Sequence, residues 1–428
     1  MITSRLERVG RAGDPAPAPF VRSRLDNGVR VRVRENPTLP LVAVDCWVAV
    51  GALHETDEHA GISHFLEHMF FKGTDRHPAG TMDRIVQEMG GYNNAATSME
   101  YTHYYIVAPS EHFATALDLL ADHLTGLVFP ADELDRERRV VKEEIRRKDD
   151  SPTGRLYTLL TRAAFGESPY AREILGTPDS LDRIDREDLT RHWRDHYTGD
   201  RLVVAVAGAV DAAAVVDAVE ARLGDLPASG APPAEPDPPA VGGALAESEM
   251  AVGQGYLALA FPTPGRRELA ETCALEIGAT ILGDGDVSRL HRRLVDELRL
   301  VTAVQAWTFG LERIGLLGVD AVHPPERRPA VEEEIAAVLD AAARVGVSEA
   351  EVRRARTTLL ADFAYDNETN AAMTGTLGEF EVLFDDAGAW REVLDALAAA
   401  TPDDVSEALA RWLDPDRAVR AWVGPDAA

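Results

Sequence analysis

Valine and arginine alternate strictly over residues 29–34, the two-residue period of a strand with one buried face. Residues 41–50 (LVAVDCWVAV) are apolar almost throughout, which predicts a strand covered on both sides. At 58–72, 79–89, 111–126, 131–148 and 153–165 the spacing of apolar residues lengthens to three or four, predicting helices. Residues 92–108 (YNNAATSMEYTHYYIVA) interrupt them with β-favouring side chains on either side of a turn near Met99 and Glu100. The pattern resumes with a strand over 255–261 and helices near 268–282, 327–345 and 348–365.

Two stretches repeat. Residues 185–208 and 401–424 both read as helix, turn and apolar strand. A shift of 404 − 188 = 216 positions pairs Asp188 with Asp404, Asp200-Arg201 with Asp416-Arg417, and Gly208 with Gly424. Such self-similarity points to a duplicated unit. Between the copies lies PASGAPPAEPDPPAVGG, residues 227–243, whose proline, glycine and alanine content suits an extended linker. The expected architecture is α+β, with two homologous domains, each a mostly antiparallel sheet covered by helices. An N-terminal domain 1–226 and a C-terminal domain 244–428 flank the linker 227–243.

The 428 residues include 44 basic and 72 acidic side chains, a formal charge of −28. That excess argues against a protein that grips nucleic acid through basic patches, and against adsorption to anionic membranes. No apolar run approaches the ~20 residues of a membrane span. Residues 1–19 lack the apolar centre of a secretory signal, so a cytoplasmic location is expected. Cys46 and Cys273 exclude a disulfide framework or a CxxC site, and both sit in apolar stretches, as buried thiols do.

The chemistry concentrates at residues 61–74, GISHFLEHMFFKGT. On a helix, His64, Glu67 and His68 share a face at i, i+3 and i+4, with Phe65, Leu66 and Met69 packing around them. Two imidazoles one turn apart suit Zn²⁺, and the carboxylate lies where it can activate water. His54 and His59 are five apart and precede Gly61, so they read as the approach loop; His112 and His123 fall on what reads as an ordinary amphipathic helix.

A catalytic zinc takes three protein ligands and keeps one position open. The third is sought at 133–145, where Glu137, Val140, Val141 and Glu144 share one helix face. Acids on an apolar face need a partner or a cation. Glu143 and Glu144 lie about 100° apart on a helix, and spacing alone does not choose between them.

These residues resemble the zinc motif of the inverzincin peptidases of the M16 family, which includes pitrilysin, insulin-degrading enzyme and mitochondrial processing peptidase. The resemblance implies a third ligand at 68 + 76, Glu144, and a supporting glutamate seven residues earlier, Glu137. Residues 90–97 (GGYNNAAT) resemble the family's GGxxNAxT strand, implying that Asn94, Ala95 and Ala96 pair with a substrate backbone. Ser168-Pro169-Tyr170 and Leu175-Gly176-Thr177 resemble a further family segment. The resemblance implies a half-clamshell zinc endopeptidase that acts on peptides or flexible leader segments in an enclosed chamber. One Zn²⁺ per chain would sit on His64, His68 and Glu144, with Glu67 as general base and then acid, and Glu137 as auxiliary acid.

One stretch departs from the family. Its second half carries an Arg and a Tyr seven residues apart that contact substrate, and the matching positions here are Val295 and Thr302. The second half also lacks any HxxEH. The resemblance then implies a zinc subunit that forms a heterodimer with a homologous chain carrying the Arg/Tyr pair. The rival is a non-catalytic scaffold or peptide-binding subunit, like the core proteins of respiratory complexes. Those have degraded metal motifs, whereas every ligand position is filled here.

Overall fold

The computed structural model describes residues 7–9, 19–230 and 236–425. Most of the N-terminal stretch 1–19, and residues 231–235 of the expected linker, lie outside the described residues.

Two sheets organise the chain. The first contains β1 (Glu7–Val9), β2 (Phe20–Arg24), β3 (Arg30–Glu35), β4 (Leu41–Val48), β5 (Tyr92–Thr97), β6 (Thr102–Pro109) and β7 (Leu202–Gly208), in the order β1-β2-β3-β7-β4-β6-β5. The second contains β8 (Ala244–Met250), β9 (Gly255–Pro264), β10 (Ala303–Gly310), β11 (Ile314–His323) and β12 (Val419–Pro425), in the order β10-β11-β9-β12-β8. Taken from β5, the run β5-β6-β4-β7-β3 matches the second sheet strand for strand. In each, one pair is parallel, β3 with β7 and β8 with β12, and the repeated ends seen in the sequence supply β7 and β12.

The helices repeat as well. In the first half these are α1 (Ile62–Phe70), α2 (Thr81–Glu88), α3 (Phe113–Gly126), α4 (Ala131–Asp149), α5 (Pro152–Phe165), α6 (Pro178–Arg183), α7 (Arg186–His196) and α8 (Ala212–Leu223). In the second they are α9 (Leu269–Gly283), a π-helical segment His291–Glu297, α10 (Arg328–Val345), α11 (Glu349–Tyr365), α12 (Asn370–Phe384), α13 (Trp390–Ala399) and α14 (Pro402–Trp412). Among the described residues no helix is long and apolar enough to cross a membrane.

The compact units do not follow the chain halves expected at 1–226 and 244–428. Residues 146–171, with α5, fold into the second unit, and residues 363–390, with α12, fold into the first. Each exchanged helix is the third after its hairpin, and each covers a sheet face that would otherwise be bare: α5 lies on β9 and β12, α12 on β4 and β7. Under α12, Met373 and Leu377 meet Phe20, Ala205 and Ala207. Sheets with two apolar faces need a layer on each.

Strand β3 displays the consequence. Val31 and Val33 enter the core of the first unit. Arg30 and Arg32, expected on a solvated face, are instead 8% and 6% exposed. Arg32 forms a two-pronged ion pair with Glu381 of α12, at 2.7 and 2.5 Å, and Arg30 donates to Asp385 at 2.8 Å. Charges withdrawn from water persist when paired in this way.

Candidate metal centre

Helix α1 begins where two glycines touch. Gly61 has φ +90°, and a Cβ on it would lie 2.7 Å from the Leu175 carbonyl; one on Gly176 would lie 2.2 Å from the Ala60 carbonyl. The Leu175-Gly176-Thr177 segment thus seats the start of α1. Glu55 fixes it further by accepting from the Gly61 and Ser63 amides at 2.7 and 2.8 Å. These are orphan N–H groups of a helix N-terminus, which a carboxylate satisfies well. Burial pushes the Glu55 carboxyl up to about 7 against the pull of those amides. The sequence reading took this stretch only as the approach loop; the signal was an acid a few residues ahead of a helix-opening glycine.

From that start, Ile62, Phe65, Leu66, Met69 and Phe70 face the core, leaving His64, Glu67 and His68 half-buried together. The two imidazoles lie 4.8 Å apart between ring centres. Leu134, Val141 and Ile145 hold α4 against the same core and turn Glu137 and Glu144 toward α1. Glu144 Oε2 is 3.8 Å from His64 Nε2 and 3.5 Å from His68 Nε2. One donor atom from each of these three residues lies within 4.8 Å of the others. Glu143 is exposed on another side of the helix.

Glu137 orients the group. Its Oε2 accepts from His68 Nδ1 at 3.1 Å, and its Oε1 meets Lys72 Nζ at 2.8 Å. A carboxylate only accepts, so His68 carries a proton on Nδ1, and Nε2 is the nitrogen it turns toward Glu144. Such a carboxylate behind a histidine is a familiar support for metal ligation. Burial, with His68 beside it, pushes His64 down to about 3, which keeps that imidazole neutral. Two imidazole nitrogens and one carboxylate oxygen form a donor set suited to zinc, with room for a fourth partner.

Glu67 has a partner that was not assigned from sequence. Thr97 Oγ1 donates to Glu67 Oε2 at 2.5 Å. Burial raises the Glu67 carboxyl, while this hydrogen bond lowers it. Thr97 ends β5, the outermost strand of its sheet. Along β5, Asn93, Ala95 and Thr97 are half-buried, and Asn93 donates to Asp83 of α2 at 2.9 Å. Tyr92, Asn94 and Ala96 are exposed. Of the three residues expected to pair with substrate, Ala95 therefore faces the helices, while Asn94 and Ala96 face the other way. The two-residue period of a strand dictates that split. In the second half, Val295 packs on the core and Thr302 Oγ1 donates to the Val322 carbonyl at 3.1 Å, so both are used structurally.

Comparison with known proteins shows the family of the chain. Residues 30–178 match the insulinase (peptidase family M16) model, and residues 183–359 match that of the peptidase M16 inactive domain. An uncharacterized zinc protease of Bacillus subtilis, YmxG, is 30% identical over 406 residues, covering 94% of this chain and 98% of the relative. A probable β subunit of the mitochondrial processing peptidase of Arabidopsis thaliana is 38% identical over 204 residues, covering 47% of this chain and 38% of the relative. The crystal structure of a protease from Helicobacter pylori superposes with a TM-score of 0.89 at 25% identity, over 99% of this chain and 100% of that one. The chain belongs to peptidase family M16, with the α+β fold of that family in both of its units.

Proposed function

We propose that this chain is the zinc-bearing subunit of an endopeptidase that cleaves peptides or flexible leader segments. The observation that carries the reading is the convergence of His64, His68 and Glu144 beside Glu67, next to an open sheet edge. Zinc held by those three would polarise the scissile carbonyl and acidify the attacking water. Glu67 takes the proton from that water on a carboxylate oxygen and delivers it to the leaving nitrogen. Thr97 holds the other carboxylate oxygen of Glu67 steady through its hydroxyl. Glu137 keeps His68 in the tautomer that leaves Nε2 free. The edge of β5 at Asn94, Ala95 and Ala96 binds the substrate backbone as an added strand, giving affinity with little sequence readout.

A second, homologous chain supplies the substrate-contacting Arg and Tyr that Val295 and Thr302 replace. Its expected presence draws support from the likeness to a named subunit of a processing peptidase. The test is hydrolysis of a quenched fluorescent peptide library by zinc-loaded protein, with and without a chelator, alone and with a homologous Arg/Tyr-bearing chain. Cleavage that needs zinc and rises with the second chain is expected. Hydrolysis indifferent to the chelator would overturn the metal mechanism, and full activity of the chain alone would overturn the partnership.

A further inference from the structure

Among the described residues, two groups of metal-ligating side chains bring one donor atom each within 4.8 Å of the others. One is the centre above. The other is His77, Asp122 and His123. Asp122 and His123 lie on α3, and His77 lies on the loop that leaves α1. The two imidazoles stack, with ring centres 6.0 Å apart and planes 16° from parallel. His77 Nδ1 is 2.8 Å from Asp122 Oδ2. His123 is 1% exposed, and its Nδ1 donates to the Leu119 carbonyl at 2.8 Å. That bond places the proton on Nδ1 and leaves a lone pair on Nε2.

The protonation states suit a cation. Burial pushes His123 down, so its imidazole is neutral. Burial alone would raise Asp122, but hydrogen bonds from Thr74 and His77 and the charge of Arg76 hold it below the ordinary carboxylate range. Metal ligands must be deprotonated at the bonding atom, and the bond to the Leu119 carbonyl leaves His123 Nε2 in that state.

We propose that His77, Asp122 and His123 form a second Zn²⁺ site, a structural clip between α3 and the loop that follows α1. The ion takes the place of the proton now shared by His77 Nδ1 and Asp122 Oδ2, and the His77 imidazole carries its proton on Nε2 instead. His123 contributes Nε2, completing a two-nitrogen, one-oxygen set of the kind zinc accepts. Thr74 donates to Asp122 Oδ2 at 2.5 Å and accepts from the amides of Arg76 and His77 at 3.2 and 2.9 Å. It therefore ties the clip to the loop backbone. The loop begins directly after the helix that bears His64, Glu67 and His68, so ordering it steadies the end of α1.

Arg76 gives the proposal a sign. Its guanidinium lies 3.2 Å from Asp122 Oδ1 on a side chain that is 60% exposed. In a purely hydrogen-bonded lock it is a favourable partner; beside a bound cation it repels. The experiment counts zinc in the full chain after equilibration with the metal alone, and follows Co²⁺ spectroscopically. A His68→Ala/Glu144→Ala background removes the first centre, so the outcome is independent of the peptidase reading. One zinc should remain there, against two in the unaltered chain. His77→Gln, whose amide still donates to Asp122, should remove it without unfolding the protein. Arg76→Ala should tighten binding about tenfold, the equivalent of roughly 1.4 kcal/mol. A background protein that holds no zinc, a count unchanged by His77→Gln, or looser binding in Arg76→Ala would each overturn the site in favour of a hydrogen-bonded lock.

Discussion

Helix α1 against β5 and helix α9 against β10 hold the same place in two sheets of matching order, but their contacts differ in kind. The nine-residue α1 keeps His64, Glu67 and His68 half-buried, and Glu67 meets Thr97 in the space between helix and strand. The fifteen-residue α9 carries no such polar group among its buried residues, which include Cys273, Leu275, Ile277 and Ile281. Its last residue, Gly283, comes so close to β10 that a Cβ would lie 2.1 Å from the Ala306 amide nitrogen. No side chain fits there. The sheet order decides where a site can be built, and the residues on the covering helix decide whether one is.

Substitutions can break this contrast, beginning with the largest effect. Glu67→Gln should cut peptide hydrolysis by about 10²- to 10⁴-fold while leaving zinc content and thermal stability unchanged. An active, zinc-loaded variant would remove Glu67 from the chemistry and leave α1 no more catalytic than α9.

Next is the helix exchange. Glu381→Ala strands Arg32 without its partner and should cost about 3–5 kcal/mol, as removal of one member of a buried pair does. Hydrogen exchange should lose protection in β2, β3 and β4 before β9 to β11. Equal loss in both sheets would mean that the units unfold as one.

Acid should then separate the units gradually. Burial pushes His54 and His196 down to about 4, and His192 well below its ordinary 6.5. His192 Nε2 lies 3.2 Å from Ser63 Oγ, at the start of α1. A histidine held neutral by folding contributes stability that is complete above pH 6.5 and is lost as pH falls toward 4. Exchange around α1 and α7 should therefore accelerate across that window, more than around His323, the one histidine of the second unit with such a shift among the described residues. A pH-independent first unit would contradict neutral burial of these three.

The smallest effect is the sharpest. Thr97→Val keeps the shape of β5 and removes the hydroxyl from Glu67. It should lower kcat roughly tenfold, the scale of one hydrogen bond to a charged group, with KM little changed. A change in KM alone would assign Thr97 to substrate binding.

Legibility in the sequence followed the range of the interactions involved. His64, Glu67 and His68 were visible because i, i+3 and i+4 positions meet through helix geometry alone. Glu137 and Glu144 stood out as acids on an apolar face, but choosing Glu144 over Glu143 took a family resemblance, since the docking of α4 on α1 is a tertiary contact. Thr97 was within a recognised strand, yet its bond to Glu67 follows from β5 lying beside α1, which no local pattern encodes. His123 looked like one more position of an amphipathic helix, and only the path of the loop carrying His77 puts a second imidazole over it.

By itself, then, the sequence determined most elements around the site, the repeated helix–turn–strand ends that supply β7 and β12, and the donor pair on α1, because each rests on short-range periodicity or self-similarity. The hairpin β10–β11 and helix α12 it left unassigned. The tertiary structure decided which helix covers which sheet, turning the alternating arginines of β3 from a solvated face into a buried anchor for α12. It also decided which acid joins the two histidines and where Thr97, Glu55 and His77 point. Those outcomes depend on the packing of segments far apart in the chain, where the cost of burying a charge or an amide is set by the partner the fold delivers.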